Sequence, residues 1–198
     1  MKKTKNIGKV LAVILVGGLS TLVAQAQVAT GPWSSWSPGY NLQLVGSGWN
    51  SGSQFGITST STTTEQRAER RYDTFSTGSK QFQGTVVVNS LGGDRICLCQ
   101  CFEDPQGPWN MIAVQKSGSL YQVEGGETIA GYTVGSSARI NMVCYTGSDK
   151  VVNYVNGSLD QTQTGGTGSY YFKFGTYRTG SGKGPITATW TGIQFWQK

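Results

Sequence analysis

Residues 170–178 read YYFKFGTYR, and the parity of this stretch decides the fold class. Alternate side chains of an extended strand point to opposite faces. Tyr171, Lys173, Gly175 and Tyr177 therefore share one face, and Phe172 and Phe174 share the other. The phenylalanines supply a core face. The lysine and tyrosines give the opposite face a chemistry that a plain core strand does not need. Two further stretches sort the same way. In QRAERRYD (66–73) Arg67, Glu69 and Arg71 fall on one face. In ICLCQCFE (96–103) Gln100 and Phe102 share a face and the cysteines take the other.

The same short alternating pattern fills the rest of the chain. Strands are expected near 40–46, 54–60, 66–75, 80–89, 94–102, 110–116, 119–124, 138–145, 150–155, 169–178 and 186–197. Turns such as LGGD, EGGE, TGSD and VNGS separate them, and Asn156-Gly157 is a strong hairpin signal. The run STSTTTEQ (59–66) reads as a loop between strands. Strands at this spacing predict an all-β fold of two packed antiparallel sheets. That is a β-sandwich or jelly roll (concanavalin-like), with one sheet bent into a concave groove.

Residues 1–26 read as a cleavable signal peptide. A basic MKKTKNIGK precedes an apolar VLAVILVGGLSTLVA and the small-x-small site Ala24-Gln25-Ala26. The apolar run is short for a membrane span. The expectation is a secreted or periplasmic protein, free of the membrane after cleavage, with residues 27–198 forming one domain. Lys2, Lys3, Lys5 and Lys9 account for four of the six net positive charges, which leaves +2 on the mature chain. Bulk charge therefore gives no case for nucleic acid or a membrane surface as partner. The chain has no histidine, no CxxC pair and only scattered acids, so no metal site and no cofactor is expected. Cys97, Cys99 and Cys101 alternate along one strand, where bonds among them are awkward. A bridge from one of them to Cys144, or four reduced thiols, are both left open by the sequence.

The three stretches together resemble the alginate-lyase-like polysaccharide lyases (family 7 and relatives). Arg67-Ala68-Glu69-Arg70-Arg71 fits that family's R-x-E-x-R motif, and YFKFGTYR (171–178) is similar to its YFKAGxYxQ strand. Gln100-Cys101-Phe102 stands in the place of its Q-I/V-H motif. The resemblance implies a jelly roll that cuts an anionic uronate polymer, alginate-like or glucuronan-like, by β-elimination. Tyr177 would transfer the proton, and Arg71 and Gln100 would bind and neutralise the carboxylate. Arg67, Glu69, Lys173, Tyr171 and Phe102 would hold the chain and set the local field. Two departures stand out. Phe102 takes the place of the family's histidine, and Arg70 stands where an aliphatic residue usually faces the core.

β-Elimination removes the proton next to a carboxylate, which requires that the carboxylate's charge be offset. A tyrosine titrates near 10, so cations must lower that value if Tyr177 is to act as a base at neutral pH. Lys173 on the same face is the expected cation, with Arg67 or Arg71 across the sheet. Without histidine only a syn elimination served by one tyrosine is expected. The alternative is a lectin-like, non-catalytic carbohydrate-binding protein on the same scaffold, since a ring at 102 suits stacking. The arginines and Glu69 also fit a plain cross-strand ion-pair ladder. A glycoside hydrolase needs two facing carboxylates, and no strand carries an E-x-D-x-x-E pattern.

Overall fold

The computed structural model describes residue 29 and residues 31–129 and 131–198. The expected signal peptide lies outside the described residues. Fifteen strands make up almost all of the regular structure among the described residues: β1 (Ser34–Ser35), β2 (Tyr40–Val45), β3 (Gly48–Ser51), β4 (Gln54–Ile57), β5 (Arg67–Tyr72), β6 (Ser79–Leu91), β7 (Asp94–Asp104), β8 (Gly107–Val114), β9 (Leu120–Gln122), β10 (Glu127–Ile129), β11 (Ser137–Tyr145), β12 (Lys150–Val155), β13 (Ser158–Thr164), β14 (Ser169–Lys183) and β15 (Ile186–Gln197). They form two antiparallel sheets. One runs β13-β12-β11-β6-β15-β4-β3 with β1 on β15, and the other runs β10-β9-β8-β7-β14-β5-β2. No helix among the described residues is long and apolar enough to cross a membrane.

The inward faces meet over rings. Phe172 and Phe174 of β14 and Tyr72 of β5 pack against Phe82 of β6 and Trp190 and Phe195 of β15, all of them buried. Phe82 stacks on Phe174 at 5.7 Å, and Phe55 meets Phe174 edge to face at 5.6 Å. These contacts join the sheets through aromatic pairs as well as through buried area. The β12–β13 connection is the Asn156-Gly157 hairpin, with both residues at positive φ (53° and 86°), as a two-residue primed turn requires.

Simple parity fails at two places near the middle of the second sheet. Leu98 is an extra residue between Cys97 and Cys99 in β7, and Gly175 and Thr176 interrupt the facing register of β14. Cys99 and Cys101 thus face the core, while Cys97 pairs with Tyr177 on the opposite side. The expectation that all three cysteines share a face is corrected by this bulge. All four cysteines are free and buried. Arg70 does face inward, opposite Phe174, and the register does not slip. Its guanidinium escapes the core by lying over Tyr40 (4.7 Å) and Phe55 (5.6 Å) and donating to the Gly52 carbonyl.

Candidate functional site

The strands that carry the three motifs are neighbours in the order β7-β14-β5, in the interior of one sheet. Their antiparallel register sets the outward side chains in rows. Arg71, Lys173 and Gln100 stand side by side, and Tyr171 stands beside Phe102. Glu69 faces Gly175, and Arg67, Tyr177 and Cys97 form the far row. Gly175 lets β14 lie close on β5, since an added Cβ there would run into the backbone of Ala68 and Glu69. Gln100 Nε2 donates to Glu69 Oε1 at 2.9 Å. Glu69 Oε2 faces Arg67 Nε at 3.3 Å and Lys173 Nζ at 3.8 Å. Glu69 is therefore the hub of the face.

This hub is dry. Glu69 is fully buried, and Gln100 and Lys173 are 2 % and 4 % exposed. Burial pushes the Glu69 carboxyl above its ordinary value, with Lys173 and Arg67 opposing. Burial likewise lowers Lys173, against the pull of Glu69. Lys173 thus points away from the core, as its parity predicts, without reaching solvent. The partly exposed residues that a ligand can touch are Arg67, Arg71, Phe102 and Tyr177.

The two arginines serve different ends of the face. Arg71 lies over the Tyr171 ring at 4.0 Å, and Tyr171 stacks on Phe102 at 4.9 Å and 11°. Guanidinium, phenol and phenyl thus form one continuous stack. Arg67 lies over the Tyr177 ring at 4.6 Å. Tyr177 is four residues along β14 from Lys173, roughly 13 Å at the usual strand rise. The cation beside Tyr177 is therefore Arg67, and neither Lys173 nor Arg71. The expected lowering of the Tyr177 phenol does not occur either. Burial raises it above 10, and Arg67 offsets only part of that shift.

Compared by sequence, the chain matches no family model and no curated protein. Compared by structure, it superimposes on several alginate lyases of polysaccharide lyase family 7. The enzyme AlyA1 of Zobellia galactanivorans matches with a TM-score of 0.61 at 15% identity, over 83% of this chain and 95% of that one. An alginate lyase from a Corynebacterium species gives 0.61 at 19%, over 86% and 83%. One from Pseudomonas aeruginosa gives 0.59 at 17%, over 79% and 86%. The fold is that of the family 7 alginate lyases.

Within this alginate-lyase fold the sequence motifs leave several neighbours of the site unmarked. The edge strand β2 extends the same face, with Asn41 opposite Arg71, Gln43 opposite Glu69 and Val45 opposite Arg67. Gln43 Oε1 accepts a bond from Arg67 Nη1 at 3.1 Å. Glu65, just before β5, holds Arg67 Nη2 at 2.5 Å. On the far side Met111 and Ala113 of β8 stand beside Gln100 and Cys97. Alternation within YNLQLV (40–45) is the available signal for β2, but pairing to β5 depends on the tertiary fold. A cavity of about 370 Å³, lined by Trp36, Tyr40, Tyr72 and Trp196 among others, lies between β2 and β15, away from this face.

Proposed function

We propose that this protein is a polysaccharide lyase that cleaves a uronate-containing polymer on the outward face of β5, β14 and β7. The observation that carries the reading is the clustering on that face of every motif residue named from the sequence. Buried hydrogen-bonded charge next to partly exposed arginines and a tyrosine suits an anionic sugar better than a neutral one. The family 7 fold adds to this reading.

Tyr177 is the proton-transferring group. Its phenolate takes the proton next to the uronate carboxylate, the glycosidic C–O bond breaks as the C=C bond forms, and the leaving oxygen receives that proton back from Tyr177. One tyrosine acting on one side of the ring suffices for this syn course, and the chain has no histidine to serve the other side. Positive charge offsets the carboxylate and stabilises the dianionic intermediate. Gln100, bonded to Glu69, helps hold the buried charge beneath the face in place. The Arg71–Tyr171–Phe102 stack holds a neighbouring part of the polymer. The protein acts outside the cytoplasm, a reading that rests on residues 1–26 of the sequence.

Incubation with alginate, glucuronan and pectate, followed by the ultraviolet absorbance of the unsaturated product, tests this function. Product from the wild type that disappears in Tyr177→Phe is expected. One observation favours a second reading, a carbohydrate-binding protein without chemistry: Phe102 is already stacked on Tyr171 where the resemblance puts a histidine. Uronate binding with no product, and indifferent to Tyr177→Phe, would favour that alternative. Binding only to a neutral glycan would reject both.

A further inference from the structure

The three nitrogens of Arg67 are all engaged, but not equally. Nε meets the fully buried Glu69, and Nη1 donates to the partly buried Gln43. Nη2 pairs at 2.5 Å with Glu65, whose side chain is 50 % exposed while that of Arg67 is 17 % exposed. Two of these partners belong to strands of the sheet. The third belongs to the segment between β4 and β5 and meets water over half its surface. An exposed ion pair is held weakly, because solvent screens it and the free side chain has entropy to regain.

We propose that Glu65 is a stand-in for the substrate, a displaceable carboxylate seated where a uronate carboxylate docks on Arg67. This rests on the lyase reading and adds to it the identity of the anion-binding group beside the reacting centre. The geometry supports the exchange. Arg67 lies 4.6 Å over Tyr177, so a carboxylate on Nη2 is held next to the phenol. Arg71 is turned to Tyr171 at the other end of the face. Glu69 and Gln43 fix the rest of the guanidinium, so its outer edge stays in place when Glu65 leaves. The charged or titratable groups around Tyr177 are Arg67, Glu65 and Glu69 from β5 and its lead-in, and Cys97 from β7. Departure of Glu65 takes an anion away from the phenol just as a uronate supplies one, so substrate binding leaves the local charge unchanged. Glu65→Gln, by contrast, removes an anion outright. It frees the seat and lowers the Tyr177 phenol.

The test is calorimetric binding of a uronate trimer to Tyr177→Phe, with and without Glu65→Gln, so that no turnover intrudes. Glu127→Gln, on the exposed strand β10, controls for net charge. The expected result is a three- to tenfold tighter trimer with Glu65→Gln and no change with Glu127→Gln. In the Tyr177 protein the same Glu65→Gln substitution lowers KM by a similar factor. Equal or weaker binding with Glu65→Gln, or equal tightening by Glu127→Gln, overturns the proposal and leaves the lyase reading standing. Absence of trimer binding in every variant removes both.

Discussion

Removal of the Glu69 carboxylate has a cost that the structure makes quantitative. Glu69 accepts from Gln100 at 2.9 Å and faces Lys173 and Arg67, and neither Gln100 nor Lys173 has meaningful access to water. Breaking a buried pair by deleting one partner costs about 3–5 kcal/mol. An orphaned buried donor such as Gln100 costs about 1–3 kcal/mol. The two penalties share the same space and do not add fully, so Glu69→Ala is expected to lose about 4–5 kcal/mol. Glu69→Gln retains an oxygen for Gln100 and loses only charge. Lys173, already lowered by burial, then escapes by shedding its proton, so the cost falls to about 3 kcal/mol. Lys173→Met added to Glu69→Gln removes the second charge and is expected to recover to within about 1 kcal/mol of wild type. Urea unfolding at neutral pH reads these differences. In a domain of this size Glu69→Ala corresponds to a fall in Tm of about 10 °C. A Glu69→Ala protein within about 1 kcal/mol of wild type would refute the buried hub. So would a double variant no more stable than Glu69→Gln.

The same geometry sets four other expectations. Because burial raises the Glu69 carboxyl above 4.5, the folded state binds the extra proton between that value and its own. Stability should fall as pH rises through that window, and Glu69→Gln should flatten the slope in pH-dependent unfolding. Because the Tyr177 phenol is raised above 10, the phenolate is scarce at neutral pH. The rate should climb about tenfold per pH unit on the alkaline side, and a plateau reached near neutrality would contradict the assignment. Gly175 sits at φ 144°, where an added Cβ would lie 2.1 Å from the Ala68 carbonyl oxygen. Gly175→Ala should cost about 3 kcal/mol or more in urea, and a loss under about 1 kcal/mol would deny the close approach of β14 to β5. Phe102→Ala removes the outer member of the Arg71–Tyr171–Phe102 stack. It should raise KM about three- to tenfold with kcat little changed, and the opposite split would place Phe102 at the reacting centre.

The face of β14 is legible in the sequence because nothing interrupts parity from Tyr170 to Phe174, and the aromatic core face fixes which side is inward. The hairpin at Asn156-Gly157 is legible because two adjacent residues at positive φ have few solutions. Parity misplaces Cys97 because one extra residue, Leu98, reverses the alternation beyond it, and a bulge leaves no mark in composition. Arg70 stands out as an anomaly because an arginine facing inward looks wrong until its guanidinium is seen over Tyr40 and Phe55. The assignment of cations to Tyr177 requires the register of β5 against β14. Arg67 and Arg71 have the same parity, and only pairing distinguishes which end of the strand each one serves. The contribution of β2, with Asn41 and Gln43, depends on a long-range pairing that local pattern does not encode.

A crystal structure of Tyr177→Phe soaked with a uronate trimer tests most directly whether this face holds the polymer. One uronate carboxylate is expected on the outer edge of Arg67, with its ring against residue 177 and a neighbouring sugar near Arg71 and Phe102. A trimer seated instead in the cleft of Trp36 and Tyr40, with the β5–β14–β7 face bare, would contradict this expectation.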